Sequence, residues 1–298
     1  MRGAVAAALV ALLAGPAAAQ VAPFLPAAAA APETPAGEVR LPVFEAGIAG
    51  GVGSLPDYPA ADRNRVRGIA LPYVIYRGDI LRADDQGVRG RLLRGERIGL
   101  DLSFSGAVAT SSDDNPARRG MPDLDWLGEV GPALRITLWR QPDHPRRVNL
   151  ELPVRAVFST DLTQVRFRGF TFSPELAFED RSLIWPRARF RVGIGPIFAT
   201  ERFQDYFYEV APRFALPTRP AYDAKGGYLG ARAQFSYRVP VGRDVSVVLG
   251  GRVENFSGAA NADSPLHRRD WNVTGVAGFA WSFYTSTATV ASSADPFD

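Results

Sequence analysis

The residues of this chain that could do chemistry are mostly charged side chains spaced two apart along apolar segments. In 187–200, for example, Arg187, Arg189 and Arg191 share one face, while Phe190, Val192 and Ile194 share the other. Charges removed from water are costly unless they are paired, so such faces predict ion-pair networks or a wet passage. The candidate network comprises Asp101, Glu129, Arg135, Glu151, Arg155, Glu175, Glu179, Arg187, Arg189, Arg191, Arg232 and Arg238, and the same faces carry Arg97, Arg252 and Glu254.

Two carboxylates of this set are expected to face the arginine row. Glu175 and Glu179 lie on the polar face of the segment before Arg187, joined to it through 180–186. If the two segments are antiparallel neighbours, Glu179 is expected near Arg187 and Glu175 near Arg191. Cross-strand pairs of opposite charge stabilise a sheet by roughly 0.2–1 kcal/mol each.

The histidines and the acidic loop offer weaker chemistry. His144 and His267 are expected at opposite ends of the fold, which argues against a shared metal site. His267 lies near Ser264 in sequence, but a catalytic pair depends on geometry, and we interpret this histidine as a solvated loop residue. Asp123 and Asp125 could supply oxygen ligands to calcium, but the complete ligand-loop spacing is missing. No catalytic residue, metal or cofactor is predicted.

Composition narrows the function classes further. The chain has 298 residues, no cysteine and a formal net charge of only +3, so disulfides and thiolate chemistry are excluded. Lys225 is the only lysine among many arginines. No basic run is interleaved with aromatic residues, so nucleic-acid binding is not predicted.

The N-terminal sequence predicts export. Residues 1–19 combine a basic start, a short apolar core and a small-residue end, which is the form of a secretory signal peptide cleaved between Ala19 and Gln20. Residues 20–42 are rich in Ala and Pro and predict a linker. The folded part is expected at 43–284, followed by a tail at 285–298.

Between 43 and 284 the apolar residues recur with a period of two. The predicted strands often reach eleven to fifteen residues, whereas globular strands average about five or six. Apolar-out and polar-in alternation over roughly ten residues is typical of strands in a transmembrane barrel, which must be closed to pair every backbone group. We therefore predict an all-β fold, a transmembrane antiparallel up-and-down β-barrel of about twelve strands. The alternative is a soluble sandwich or lipocalin-like barrel.

The connections and tryptophans fit this prediction. The long connections 54–64, 110–125, 201–225 and 258–270 fall on one side, and the tight links fall on the other, as in outer-membrane barrels. Between 80 and 94 the pattern fits either two short strands or one. All five tryptophans are predicted at strand ends or in turns, where aromatic girdles lie. Trp139 departs from the pattern because it falls on the polar face of its strand.

Several segments resemble the MipA/OmpV family of outer-membrane proteins. The first similarity is to a Tyr-Pro-small-Ser-Asp-Arg run, in which Ala61 replaces the serine here, followed by Leu-Pro-Tyr-Val and Tyr-Arg-Gly-Asp. The second covers an Asp-Asn-Pro run. Further similar segments are RFQDYFYEV, PAYDAKGGYLGARAQFSYRV and DSPLHRRDWNVTGVAGFAWSF. The matching motif residues are Tyr58, Pro59, Asp62, Arg63, Leu71, Pro72, Tyr73, Tyr76, Arg77, Gly78, Asp79, Asp114, Asn115 and Pro116.

The resemblance implies an outer-membrane barrel of a Gram-negative cell in contact with outer-membrane lipid. It further implies a non-enzymatic scaffold that interacts with a murein lytic transglycosylase and a murein synthase, or a surface antigen or adhesin. It supplies no catalytic residues. A small-solute porin is the alternative function, and a lipid-modifying outer-membrane enzyme is a more distant one.

Overall fold

The structure is a computed structural model that describes residues 39–42, 44–76, 81–84, 87–94, 97–142, 144–185, 187–242 and 244–292. The predicted signal peptide and its cleavage site lie outside these residues. The strands are β1 (Val39–Pro42), β2 (Phe44–Pro56), β3 (Asn64–Tyr76), β4 (Leu81–Asp84), β5 (Gly87–Arg94), β6 (Ile98–Ala107), β7 (Trp126–Arg140), β8 (Arg146–Thr160), β9 (Val165–Phe172), β10 (Glu175–Asp180), β11 (Arg189–Ala199), β12 (Gly227–Pro240), β13 (Val245–Asn255), β14 (Trp271–Thr285) and β15 (Thr289–Ser292).

The strands form an antiparallel up-and-down barrel. Around the wall they follow the order β3-β2-β14-β13-β12-β11-β10-β8-β7-β6-β5-β4. The ends of this path, β3 and β4, lie against each other. β9 continues the wall position of β10 and pairs with β8 and β11. Between them Pro174 interrupts the strand, because proline cannot donate to a ladder. With β9 and β10 counted as one broken strand, the wall has the twelve predicted members.

The apolar face of the wall points outward. Along β14 the burial alternates from Trp271 to Trp281, with the apolar side chains of Val273 and Phe279 exposed and Asn272, Thr274 and Ser282 buried. Similar outward residues include Val154, Ile194, Phe235 and Leu249. A soluble sandwich or lipocalin-like barrel would turn these residues inward, so that alternative is wrong. The exterior is the apolar band of a membrane-spanning barrel.

The position of Trp139 is explained by a β-bulge. In the β7–β8 ladder, Thr137 pairs with Asn149 and Trp139 pairs with Val148, so the register shifts by one residue between them. A bulge adds an unpaired residue and reverses the alternation beyond it. Leu138 and Trp139 are therefore both exposed, at 53% and 47%, and the tryptophan lies on the outer face near a strand end.

Four long connections meet at one end of the barrel and form a folded cap. We define the cap as 57–63, 108–125, 200–226 and 256–270; it contains helix α1 (Glu201–Tyr208) and a 3₁₀ turn, Pro212–Phe214. The buried residues of α1, Phe203, Gln204, Phe207 and Tyr208, follow helical spacing. Among the described residues, no helix has the length and apolarity of a membrane span.

The ends of the chain add a small ribbon. β1 pairs antiparallel with β15, from Val39 opposite Ser292 to Pro42 opposite Thr289. Short sequences assigned to the linker and the tail are thus paired with each other. The barrel itself is sealed nearby by β2 and β14, whose ladder runs from Glu45 opposite Thr285 to Ser54 opposite Gly275.

Candidate functional site

The barrel lumen contains an ion-pair cluster centred on Arg191. Its Nη2 lies 2.9 Å from Glu151 Oε2 and 2.5 Å from Glu175 Oε1, and its Nε lies 3.8 Å from Glu179 Oε1. Strands β8, β10 and β11 are neighbours, and their inward positions bring these four side chains together. One guanidinium thus bridges three carboxylates and ties three strands to one another.

Glu179 has a second basic partner, Arg147 on β8. Both Nε and Nη2 of Arg147 donate to Oε2 of Glu179, at 3.0 and 2.7 Å. The two side chains are only 5% and 4% exposed, so this pair is nearly sealed from water. Arg147 was not among the predicted residues, although it shares the polar face of β8 with Glu151 and could have been found by alternation.

Further pairs continue the network around the wall. Arg232 Nη2 lies 2.8 Å from Glu254 Oε1, and Arg135 Nη2 lies 3.0 Å from Asp101 Oδ2. Arg155 lies 3.8 Å from Glu129 and also donates to two serine hydroxyls, Ser103 and Ser173. The predicted charged faces thus line the interior as opposite charges in close contact.

The expected register of the arginine row requires a correction. The structure places Glu175 against Arg191, the pair expected from the sequence. The ladder sets Glu179 opposite Arg191, however, and pairs no residue of β10 with Arg187. The reason is that 181–188 forms a longer connection, with positive φ at Ile184 and Arg187, so that β11 starts only at Arg189. The side chain of Arg187 is exposed at this end of the barrel.

Gly193 makes room for the central carboxylate. A Cβ at this position would overlap the Glu175 carboxyl group. Because Gly193 has no side chain, the Glu175 side chain can cross the ladder diagonally and reach Arg191. In the sequence, Gly193 is visible only as a glycine within a strand. Such a glycine indicates a close approach of another group but does not identify that group.

The described residues enclose a larger and a smaller cavity inside the barrel. The larger, of about 170 Å³, is lined by four carboxylates and eight guanidinium groups and extends to Arg181 in the connection opposite the cap. The smaller, of about 90 Å³, lies under the cap beside Tyr58 and Phe207. Arg155, Arg232 and Arg252 line both cavities. The lumen is therefore filled in part by side chains and retains small polar spaces between them.

The cap closes one end of the lumen with an apolar core. Its cluster of buried residues includes Tyr58, Phe203, Tyr208, Phe256 and Leu266. The Tyr58 hydroxyl donates to Leu266 O at 2.9 Å, and the Tyr208 hydroxyl donates to Pro59 O at 3.0 Å. Burial raises the pKa of both phenols, so they remain neutral donors. Three connections are joined by these two contacts.

The first two motif segments meet in the cap. Asn115 Nδ2 donates to Asp57 Oδ2 at 2.9 Å, and Asp114 Oδ2 lies 3.0 Å from Arg65 Nη1. Asp62 lies 3.6 Å from Arg268 of another connection. Arg63 is exposed and donates to the main-chain oxygen of Asp114. Among these motif residues, Pro116 is exposed and Pro59 is half-buried.

A buried arginine ties the cap together and was not anticipated. Arg118 is 4% exposed, donates to Phe207 O at 3.1 Å and lies 5.7 Å from the centre of the Tyr58 ring. Burial lowers the pKa of its guanidinium, although Tyr58 and Tyr206 nearby oppose that shift. Its sequence context, two consecutive arginines in a loop, gives no sign of burial.

The remaining motif residues lie on or beyond β3. Leu71, Pro72, Tyr73 and Tyr76 belong to that strand, where the ladder pairs Pro72 with Ile48 and Tyr76 with Phe44 of β2. Arg77, Gly78 and Asp79 lie outside the described residues. The first part of the motif therefore belongs to the cap, and the second part belongs to the wall.

The histidine and serine considered for catalysis have structural contacts. The side chain of His267 is only 6% exposed, its Nε2 lies 3.0 Å from Asp270 Oδ1, and its ring stacks on Tyr208. The interpretation of His267 as a solvated loop residue is therefore wrong. Ser264 Oγ donates to Tyr208 O at 2.8 Å, so its hydroxyl is directed away from a nucleophilic role. His144 lies exposed in the connection between β7 and β8, at the other end.

The acidic loop is also explained by local contacts. Asp123 Oδ1 accepts a hydrogen bond from Ser112 N at 2.6 Å, and Asp125 lies 3.9 Å from Arg168. Over the part of the chain that the structure describes, no group of three or more histidine or acidic side chains could hold a metal ion. These carboxylates hold the 108–125 connection in shape.

The model of one protein family, described as MltA-interacting protein MipA, matches residues 48–283. The chain belongs to the MipA family. The matched span runs from within β2 to near the end of β14, so the MipA-family region includes both the charged lumen and the cap. A search of curated proteins finds no match.

Solved structures give only distant likenesses to this MipA-family chain. A bacterial polysaccharide outer membrane secretin is 12% identical, with a TM-score of 0.37, over 81% of this chain and 99% of that one. Outer membrane phospholipase A from Escherichia coli is 13% identical, with a TM-score of 0.34, over 80% and 93%. The toluene transporter TbuX from Ralstonia pickettii is 9% identical, with a TM-score of 0.25, over 94% and 74%.

Proposed function

We propose that this chain is a non-enzymatic outer-membrane barrel that serves as a scaffold for murein-remodelling enzymes. The observation that carries the proposal is a lumen crossed by ion pairs and covered at one end by an apolar cap. A barrel closed in this way is suited to present a rigid surface. The description of its family as MltA-interacting supports a murein lytic transglycosylase as one partner, and a murein synthase is the second proposed partner.

The energetics favour a closed lumen over a free passage. Opening a path at the centre would require the ion pairs of Arg191 and Arg147 to separate, and removing one partner of a buried pair typically costs about 3–5 kcal/mol. At the cap end, a path would also expose Tyr58, Phe207 and Leu266 to water. Both costs oppose a permanent pore.

The end opposite the cap is the proposed docking side. In outer-membrane barrels the longer connections lie outside and the short turns face the periplasm, so 141–145, 181–188 and 241–244 would meet periplasmic partners. Ile184 in this region is 86% exposed and has a positive φ of 66°. A β-branched residue in that conformation is strained, and such strain is often kept for function.

Capture from envelope extracts tests the scaffold role. The tagged protein is expected to fractionate with the outer membrane and to retain a murein transglycosylase through detergent washes. The variant Ile184→Asp should lose this partner, whereas Leu162→Asp, 74% exposed but at the cap end, should retain it. Loss in both variants, or no transglycosylase with the unaltered protein, would reject the scaffold proposal.

A small-solute porin is the second candidate. The observation that favours it is the cavity of about 170 Å³ that reaches Arg181 and has more basic than acidic lining groups. Planar-bilayer recordings separate the two functions: the scaffold predicts no appreciable conductance, and the porin predicts steady anion-preferring channels.

A surface antigen or adhesin would instead use the outward surface of the cap, and binding to host material after alterations in 212–219 would test it. A lipid-modifying enzyme has the least support, because the contacts of Ser264 and His267 are structural.

A further inference from the structure

The larger cavity is lined by more basic than acidic side chains. Four carboxylates and eight guanidinium groups line this space. Glu129 and Glu254 pair with two of the arginines from the side of the smaller cavity, which raises the acidic count to six against eight. A guanidinium without a carboxylate partner is costly in an enclosed space of low dielectric, and a bound anion can compensate its charge.

The guanidinium of this lining that carries the inference is that of Arg252. It lies on β13, faces both cavities, and its buried Nε has no hydrogen-bond partner. No described residue forms an ion pair with its guanidinium. The nearest carboxylate on its own strand face, Glu254, is engaged by Arg232 at 2.8 Å. Arg252 is thus a donor directed into polar space without a fixed acceptor.

The ladder neighbours of Arg252 are neutral. Gln234 lies opposite it on β12 and Thr274 lies opposite it on β14. The amide of Gln234 is turned toward Glu175, to which it donates at 2.6 Å, and its own Oε1 has no partner. The two unpartnered atoms, Arg252 Nε and Gln234 Oε1, indicate a gap in the network at this level of the barrel.

We propose that the lumen binds a small inorganic oxyanion of the phosphate class, held by Arg252 with Arg232 beside it. Guanidinium groups bind such oxyanions through paired charge-assisted hydrogen bonds. The anion enters from the end at Arg181, because the cap covers the other end. It adds negative charge beside the neutral ladder partners of Arg252, Gln234 and Thr274. The site does not depend on the scaffold role.

Calorimetric titration of the detergent-folded barrel with inorganic phosphate, at constant ionic strength, tests the site. Saturable binding is expected, with acetate and chloride at least tenfold weaker. Arg252→Gln should weaken phosphate binding at least tenfold. Arg166→Gln is the matched control, because Arg166 is exposed on β9 and donates to Gln164 outside the lumen; it should bind phosphate like the unaltered protein.

A second variant keeps the proposal testable if Arg252→Gln does not fold. Thr274→Asp places a carboxylate opposite Arg252, beside the smaller cavity. This carboxylate should form an ion pair with Arg252 and so replace the bound anion. The variant is expected to fold, as judged by heat-dependent gel mobility, and to lose phosphate binding. The proposal is overturned if the unaltered barrel shows no saturable binding, if chloride binds as well as phosphate, or if either lumen variant binds like Arg166→Gln.

Discussion

Arg147 on β8 and Glu179 on β10 form a forked ion pair in which Nε and Nη2 both donate to one carboxylate oxygen, at 3.0 and 2.7 Å. Asn149 Nδ2 lies 3.5 Å from the other oxygen, and Arg191 approaches it as well. The pair therefore joins β8 to β10 through side chains as well as through the ladder. It lies between the strand break at Pro174 and the end of the barrel opposite the cap.

Breaking this pair should destabilise the barrel strongly. Arg147→Gln leaves Glu179 with less compensation, and the loss of one partner from a buried pair typically costs about 3–5 kcal/mol. Urea unfolding of the refolded barrel in lipid vesicles measures the change. The exposed substitution Arg166→Gln should alter stability by less than about 0.5 kcal/mol. Equal stability of the two variants would contradict a structural role for the pair.

The Tyr58 hydroxyl should be needed for a tight cap. Tyr58→Phe leaves the carbonyl of Leu266 without its donor, and a buried unsatisfied polar group costs about 1–3 kcal/mol. The apolar ring remains, so the barrel should still fold. Limited proteolysis of 256–270 should become faster, while cleavage at 181–188, at the other end, should stay unchanged. If both ends change equally, the hydroxyl acts on the whole barrel instead.

The cap should be more stable in mild acid. Burial, together with Glu209, Glu201 and Asp223, raises the pKa of Asp205 to about 6. A carboxyl group whose pKa is raised in the folded state binds its proton more tightly there than when unfolded. Its contribution to stability is therefore present at low pH and decreases as the pH rises from about 4 through about 6. The hydrogen-exchange protection factors of α1, which remove the intrinsic rise of exchange with pH, should therefore fall over this range.

The variant Asp205→Asn provides the control for this pH dependence. It removes the titrating group and keeps the shape of the side chain. Protection of α1 should then change little between pH 4 and pH 7. A pH dependence that persists in this variant would assign the effect to another carboxylate.

The outward face of the wall should not tolerate charge. Ile194 lies near the middle of β11 and is 59% exposed on the exterior. Ile194→Arg should cost about 2–4 kcal/mol of folding free energy in a bilayer, because the charge faces hydrocarbon. Leu162→Arg, in the β8–β9 connection, should cost much less. Equal costs would indicate that Ile194 does not contact lipid.

The wall of the fold could be predicted from the sequence, because side-chain alternation with a period of two reports directly which residues face lipid. Trp139 shows the limit of that inference, since one bulge reverses the alternation without a local signal. The register of Glu179 was missed for a related reason: the length of the 181–188 connection depends on backbone conformations at Ile184 and Arg187 that composition does not specify.

The cap was less predictable than the wall. Its motif segments were recognised, but their mutual contacts join residues more than two hundred positions apart, such as Tyr58 and Leu266. Pairings of this range depend on where the barrel brings the loops, and local propensity contains no information about them. His267 was expected in water and its side chain is buried, and the burial of Arg118 was not anticipated at all.

The ladder between β2 and β14 has a consequence for how the protein is made. These strands are the first and last of the wall, so the sheet becomes a ring only when residues near 50 pair with residues near 278. Contacts between such distant positions are slow to form. During biogenesis the edge of β2 must stay unpaired until almost the whole chain has been delivered. Gly50, Gly51 and Gly53 have no side chains, so the unpaired edge of β2 offers few contacts to a wrong partner strand. A chain shortened before β14 should therefore remain an open sheet and be degraded.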